Sequence, residues 1–193
     1  MCPAQPGAQR PVDQGAQTLP AVRAATADCV DELAAVAART FPLACPQSVS
    51  PASIASFIDA NLSAARFAEY LADPQRLIFT AREADRIVGY AMLVHGVGAD
   101  ADVMRAVDIR PAVELSKMYV LPQRHGHGVS AALMNTALAA AADRGAACVW
   151  LGVNQKNQRA QRFYTKHGFI IKGTRTFRVD ECLEDDYVMV RVI

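Results

Sequence analysis

The chain has 193 residues, 52% hydrophobic and 20% charged, and its 20 basic and 19 acidic side chains leave a formal charge of +1. This length and apolar content suit one folded domain and exclude a disordered chain, and the balanced charge excludes an electrostatic clamp for nucleic acid. Cys2, Cys29, Cys45, Cys148 and Cys182 are scattered without a C-x-x-C pair; this argues against a disulfide framework or zinc knuckle, and the missing membrane span and signal pattern point to a soluble, cytoplasmic protein with no membrane partner.

Residues 1–18, rich in Pro, Gln, Gly and Ala, read as a disordered tail, and residues 19–193 as a single mixed α/β domain. A short extended stretch near Leu19 to Ala25 precedes a helix opened by Thr26 or Asp28, with Val30, Leu33, Val36 and Ala37 on one face, that ends at Phe41-Pro42. Ser50-Pro51 caps a second helix, with Ile54, Phe57 and Ile58 on one face, and a third runs over Ser63 to Leu71 with Phe67, Tyr70 and Leu71. The period then changes to that of strands. Leu77 to Arg82 and Ile87 to Val94 form a hairpin around Glu83 to Arg86. Gly96 to Pro111 lacks a pattern and reads as a long loop of the functional kind. Strands follow at Val113 to Leu121, Ala146 to Val153, Phe169 to Phe177 and Glu184 to Ile193, with helices at Gly128 to Arg144 and Asn157 to His167.

The most informative segment is Gln123-Arg124-His125-Gly126-His127-Gly128-Val129-Ser130, where a strand turns into a helix through two glycines. Glycines there permit a left-handed backbone and leave amides bare. Those amides and the unpaired N–H groups of the first helical turn converge on one point, which favours an anion such as phosphate, with Arg124 adding positive charge. Gly126-x-Gly128-x-x-Ala131 also fits a dinucleotide fingerprint, but four residues, Pro122 to His125, precede the first glycine and the next strand ends at Val153-Asn154 without the required acid. No Gly-Lys-Ser/Thr follows, which excludes a Walker loop. A plain tight turn or another type of pyrophosphate cradle remains.

This segment resembles the Q/R-x-x-G-x-G/A signature of the Gcn5-related N-acetyltransferases (the GNAT superfamily), and Glu114-Leu115, Met118-Tyr119-Val120 and Pro122 stand where that family carries similar residues. Downstream, Asn157 to Phe169 resembles the family's N-x-x-A-x-x-F-Y-x-K-x-G-F motif. The resemblance implies a mostly antiparallel twisted sheet splayed at one parallel strand pair, with helices on both faces. It implies acetyl transfer from acetyl-CoA to a small amine by direct attack. Met118, Tyr119 and Val120 would offer an edge to the pantetheine arm, Gln123 to Ser130 would hold the pyrophosphate, and Asn157 would contact the arm, although Asn is also a good helix cap. Tyr164 would act as the acid toward the leaving sulfur, and Glu114 as the base; on its strand Glu114 is expected to point opposite to Leu115, Lys117 and Tyr119. A homodimer is expected from family habit.

His125 and His127 lie in the glycine turn with a spacing that is common by itself, and His167 suits the C-terminal end of its helix, so no metal is expected. Cys148 reads as core, and Cys182 as a thiol on a polar loop. The stretches Val149 to Asn157, Gly168 to Asp180 and Asp185 to Met189, with Thr40-Phe41 and Ala68 to Leu71, are similar to the bacterial PaiA-type branch, associated with spermine and spermidine. That makes a polyamine the leading acceptor, ahead of a protein amino group, an aminoglycoside or a silent CoA-binding sensor. Asp180, Glu181, Glu184, Asp185 and Asp186 could attract a polycation, but read individually as a solvated hairpin loop.

Overall fold

The computed structural model describes residues 20–46, 48–179 and 182–193. The tail expected over residues 1–18 and the acids Asp180 and Glu181 lie outside them.

Seven strands form one sheet in the order β1-β2-β3-β4-β5-β7-β6. They are β1 (Ala21–Ala24), β2 (Arg76–Glu83), β3 (Arg86–His95), β4 (Ala112–Val120), β5 (Cys148–Asn154), β6 (Ile170–Val179) and β7 (Cys182–Val192). Every neighbouring pair is antiparallel except β4 and β5, which run parallel. The helices are α1 (Val30–Thr40), α2 (Pro51–Leu62), α3 (Ala64–Ala72), α4 (Ala101–Ala106), α5 (Val129–Asp143) and α6 (Gln158–Lys166).

The local signals act largely as expected. Ser50 Oγ accepts the Ser53 N–H at 3.0 Å with Pro51 in the first turn, so the cap and the fixed proline φ start α2 together. Ala84 and Asp85 both take positive φ, which reverses the chain between β2 and β3. Thr26 differs. Its hydroxyl donates to the Asp28 carboxylate and makes no cap bond to the backbone, and a 3₁₀ turn over Ala27–Cys29 leads into α1.

Two further expectations are corrected. Gly96 to Pro111 holds the helix α4, capped by Asp100 accepting from the amides of Asp102 and Val103. Val103 and Val107 pack with Trp150, Val188 and Val190, and the Trp150 indole donates to the Gly96 carbonyl at 2.9 Å. The segment is therefore a packed cover of the sheet. Cys182 opens β7 opposite Val179 and is not in a loop.

The core lies on both faces of the sheet. On one face, α5 and α6 cover Val113, Leu115, Val120, Leu151 and Met189. On the other, α1 and α3 cover Ile78, Tyr90 and Met92, and α4 covers the β5–β7 end. Parallel pairing of β4 with β5 is confined to Ala112/Cys148, Val113/Val149 and Glu114/Trp150. Just beyond it the β3–β4 register slips: Met92 pairs with Lys117 and Leu93 with Leu115, which leaves Ser116 as a bulge. A bulge bends and twists its strand, and here β4 leaves β5 where the bulge begins.

Candidate active site

A cleft of about 420 Å³ occupies the fork between β4 and β5. It passes through the sheet, because its lining includes Glu114, Tyr119, Arg175 and Asp186 from one face and Met118, Ala160 and Tyr164 from the other. The bulge explains which β4 side chains meet there. With one extra residue in the strand, alternation reverses after Ser116, so Glu114, Lys117 and Tyr119 share a face while Leu115 and Met118 pack toward α5. The expectation that Glu114 points opposite to Leu115, Lys117 and Tyr119 therefore holds for Leu115 and is overturned for Lys117 and Tyr119.

The open edge of β4 is narrower than the expected span of Met118 to Val120. Leu121 N–H donates to Val88 at 2.9 Å, so strand alternation turns the polar groups of Tyr119 toward β3 and those of Met118 and Val120 toward the gap. The Val120 carbonyl is already engaged by Nε2 of His125 at 2.9 Å, which must donate because a carbonyl can only accept. His127 Nδ1 likewise donates to the His125 carbonyl at 3.1 Å. Both rings therefore brace the turn.

Beyond β4 the backbone turns through two left-handed glycines into α5. Gly126 and Gly128 have φ of 85° and 79°, conformations that strain any residue with a Cβ. Gly128 is the N-cap of α5, and no side chain caps that helix, so the first-turn amides of Val129 and Ser130 point outward. Among the described residues, its chain neighbours aside, no atom lies within 4 Å of the position a Gly126 Cβ would take. Gln123 is exposed beside the turn. Arg124 is not free to add its charge, because its Nε pairs with Glu83 at 2.6 Å. Gln123 to Ser130 continue from the end of β4 and are not part of the cleft lining, which includes Glu114, Met118, Tyr119, Asn157 and Tyr164.

Asn157 is the N-cap of α6 and accepts the Ala160 N–H at 3.0 Å, so capping is one job it performs. Tyr164, half-buried between Phe163 and Phe169, has its phenol pushed up to about 12 by burial and stays protonated at neutral pH. Burial also raises Glu114, against the opposing pull of Arg175, Lys117 and Arg76. Burial draws Lys117 down to about 8 despite Glu114 nearby, and its Nζ lies 5.6 Å from the centre of the Tyr70 ring.

Lys117 and Arg175 line the cleft without having been singled out as site residues, Glu184 and Asp186 join them from the acidic cluster that read individually as solvated, and Phe41 and Phe57, stacked at 4.5 Å, form an aromatic wall. The two acids are not a solvated hairpin. They alternate along β7 with exposed Asp185 and are 6% and 5% exposed. Glu184 accepts from Lys156 at 2.9 Å, Ser48 at 2.7 Å and Asn154 at 3.3 Å, and these bonds hold it down at about 2. Asp186 accepts from Arg175 at 3.5 Å, although burial raises it. The available signal was period two through Glu184, Asp186 and Val188, which puts both acids on the face of a core valine.

The description "Acetyltransferase (GNAT) family" matches residues 39–169. The chain belongs to that family. An uncharacterized N-acetyltransferase of Mycobacterium tuberculosis is 66% identical over 161 residues, covering 83% of this chain and 96% of its own. The GNAT fold is matched by the PaiA N-acetyltransferase of Thermoplasma acidophilum, crystallised in complex with coenzyme A, with a TM-score of 0.70 and 18% identity over 90% of this chain and 98% of that one. The ribosomal-protein-S18-alanine N-acetyltransferase of Escherichia coli gives a TM-score of 0.64 and 17% identity, covering 91% of this chain and 94% of its own. This GNAT chain is accordingly an N-acetyltransferase. Among its described residues no helix is long and apolar enough to cross a membrane.

Proposed function

We propose that the protein moves the acetyl group of acetyl-CoA to a primary amine by direct attack, with a polyamine as the leading acceptor. The observation that carries this reading is the fork itself: β4 and β5 part at Glu114, and both Glu114 and Tyr164 line the opening. The residues present fit acetyl-CoA. The bare amides between Gly126 and Ser130 suit a pyrophosphate, with Gln123, Arg124, His125 and His127 shaping that turn. The outward polar groups of Met118 and the side chain of Asn157 suit the amides of pantetheine, with Tyr119 and Val120 fixing the edge. The activated thioester is what acetyl-CoA supplies when bound.

An ammonium has no lone pair, so the acceptor must first lose a proton. Glu114 takes it, directly or through water, and its burial brings its proton affinity closer to that of the amine. Tyr164, protonated at working pH, gives its proton to the departing sulfur. Among the described residues, acids outnumber bases in the lining by three (Glu114, Glu184 and Asp186) to two (Lys117 and Arg175), and Phe41, Phe57 and Tyr119 line the same space, which favours a cation on an apolar stem. Residues 19–193 would act as one domain, in the cytoplasm and as a homodimer. Ile170, Ile171 and Val192 on the β6 edge and its neighbour are exposed and support the homodimer.

Thiol release from acetyl-CoA, measured with spermine, spermidine, peptides and aminoglycosides, tests this. Fastest release with the polyamines is the expected outcome. Preference for a peptide or aminoglycoside would replace the acceptor, and CoA binding without release to any amine would replace the enzyme by a sensor.

A further inference from the structure

The charged floor of the cleft is organised around one side chain. Arg175 on β6 reaches back over β7 to β5, and its guanidinium lies flat on Gly152: a Cβ at that position would stand 2.2 Å from Nη2, 2.6 Å from Cζ and 2.8 Å from Nε. The same guanidinium lies 5.5 Å from the centre of the Trp150 ring and 3.5 Å from the Asp186 carboxylate. Trp150 is the β5 residue paired with Glu114 at the last rung before the strands part. Arg175 therefore sits at the fork, on the face that carries Glu114, and Gly152, Arg175, Glu114 and Asp186 all line the cleft.

We propose that Arg175, seated on Gly152, is a positioning residue that sets the charge of Glu114 and so makes deprotonation of the acceptor amine depend on a guanidinium that never touches the amine. The inference rests on the base role assigned to Glu114 above. Three cations act on that carboxylate against its burial, and Arg175 is the foremost of them, ahead of Lys117 and Arg76. Lys117 is a poor substitute because burial has already brought it down to about 8, so it sheds its charge over the pH range in which amines become nucleophilic. A guanidinium keeps its charge throughout. Among the described residues, other charges near this floor are Glu184, tied to Lys156, and exposed Asp185; both act on Asp186, and neither is among the charges that act on Glu114. Gly152 matters because any larger residue would occupy the space in which the guanidinium rests.

The test is the pH dependence of kcat/KM for wild type, Arg175→Met, Arg175→Lys, Gly152→Ala and Glu114→Gln. Removing a cation from beside a buried carboxylate raises its proton affinity, so the acid limb should move to higher pH in Arg175→Met. Near pH 6.5 that variant should be about tenfold slower than wild type, and near pH 9 within about twofold. Gly152→Ala keeps Arg175 but displaces it, and should move the limb in the same direction without adding to the effect of Arg175→Met. Arg175→Lys should restore most of the wild-type limb, which a purely structural role would not require. Arg175→Met leaves Asp186 without this partner, so Arg175→Met/Asp186→Asn, checked by thermal melting, guards against loss of fold. If Glu114→Gln removes the acid limb while Arg175→Met and Gly152→Ala leave it in place, the inference is overturned and the base assignment survives. If Glu114→Gln itself keeps the wild-type limb, the base assignment falls and this inference with it.

Discussion

At the N-terminus of α5, past the end of β4, the groups on offer are backbone N–H donors between Gly126 and Ser130; at the floor of the cleft they are charged side chains from β4, β6 and β7. The first set is contiguous in sequence, carries no proton that titrates near neutrality, and needs only two left-handed glycines and an uncapped helix. The second set joins residues as far apart as Glu114 and Asp186, and each group's charge depends on its neighbours: Arg175 on Asp186, Lys156 on Glu184, and Arg175 with Lys117 on Glu114. A backbone site can hold the same anion whatever the surrounding side chains do, whereas a floor of coupled charges can be retuned by single substitutions.

The contrast can be tested from the cleft outward. Tyr164 lines the cleft, and Tyr164→Phe should lower turnover by roughly 10²-fold or more while the Kd for CoA, read by calorimetry, stays within about twofold. A turnover close to wild type would remove it as the acid. At the backbone end, Gly126→Val puts a branched side chain where φ is 85° and should weaken CoA binding by about tenfold. An unchanged Kd would mean the turn is only a turn.

At the floor, Glu184→Gln should lower Tm by about 2–4 °C at neutral pH, the loss expected for one charge-assisted hydrogen bond in a domain of this size. Because Glu184 is held at about 2 in the folded protein, its contribution is complete above the ordinary carboxylate range and is lost as pH falls through that range toward 2. The gap between wild type and variant should therefore close on acidification. A gap that stays constant with pH would assign Glu184 a packing role. The smallest effect belongs to Arg124→Ala. Its side chain is about 42% exposed and paired with Glu83, so CoA affinity should change by less than about threefold. A much larger loss would mean that Arg124 leaves Glu83 to meet the ligand.

Most strand and helix positions were legible because their signals are local. Ser50-Pro51 capped a helix, alternating Ile, Val and Leu made strands, and paired glycines marked the turn into α5. Helix α4 was missed because six residues, Ala101–Ala106, give too few turns for a periodic apolar stripe. The orientation of Lys117 was misjudged because a bulge at Ser116 depends on how β4 pairs with β3, and period-two counting assumes an unbroken ladder. Glu184 and Asp186 looked like surface acids because the partners that compensate their burial, Lys156, Ser48 and Arg175, lie elsewhere in the chain.

By itself, then, the order of residues determined most of the elements and the two-glycine turn into α5, since φ preferences, caps and hydrophobic period act over a few neighbours. Only the tertiary structure decided where β4 leaves β5, which β4 side chains enter the opening, and how a guanidinium over Gly152 sits among Trp150, Glu114 and Asp186. Those outcomes follow from strand register, burial and charge pairing between distant segments, whose energies exist only once the segments are packed together.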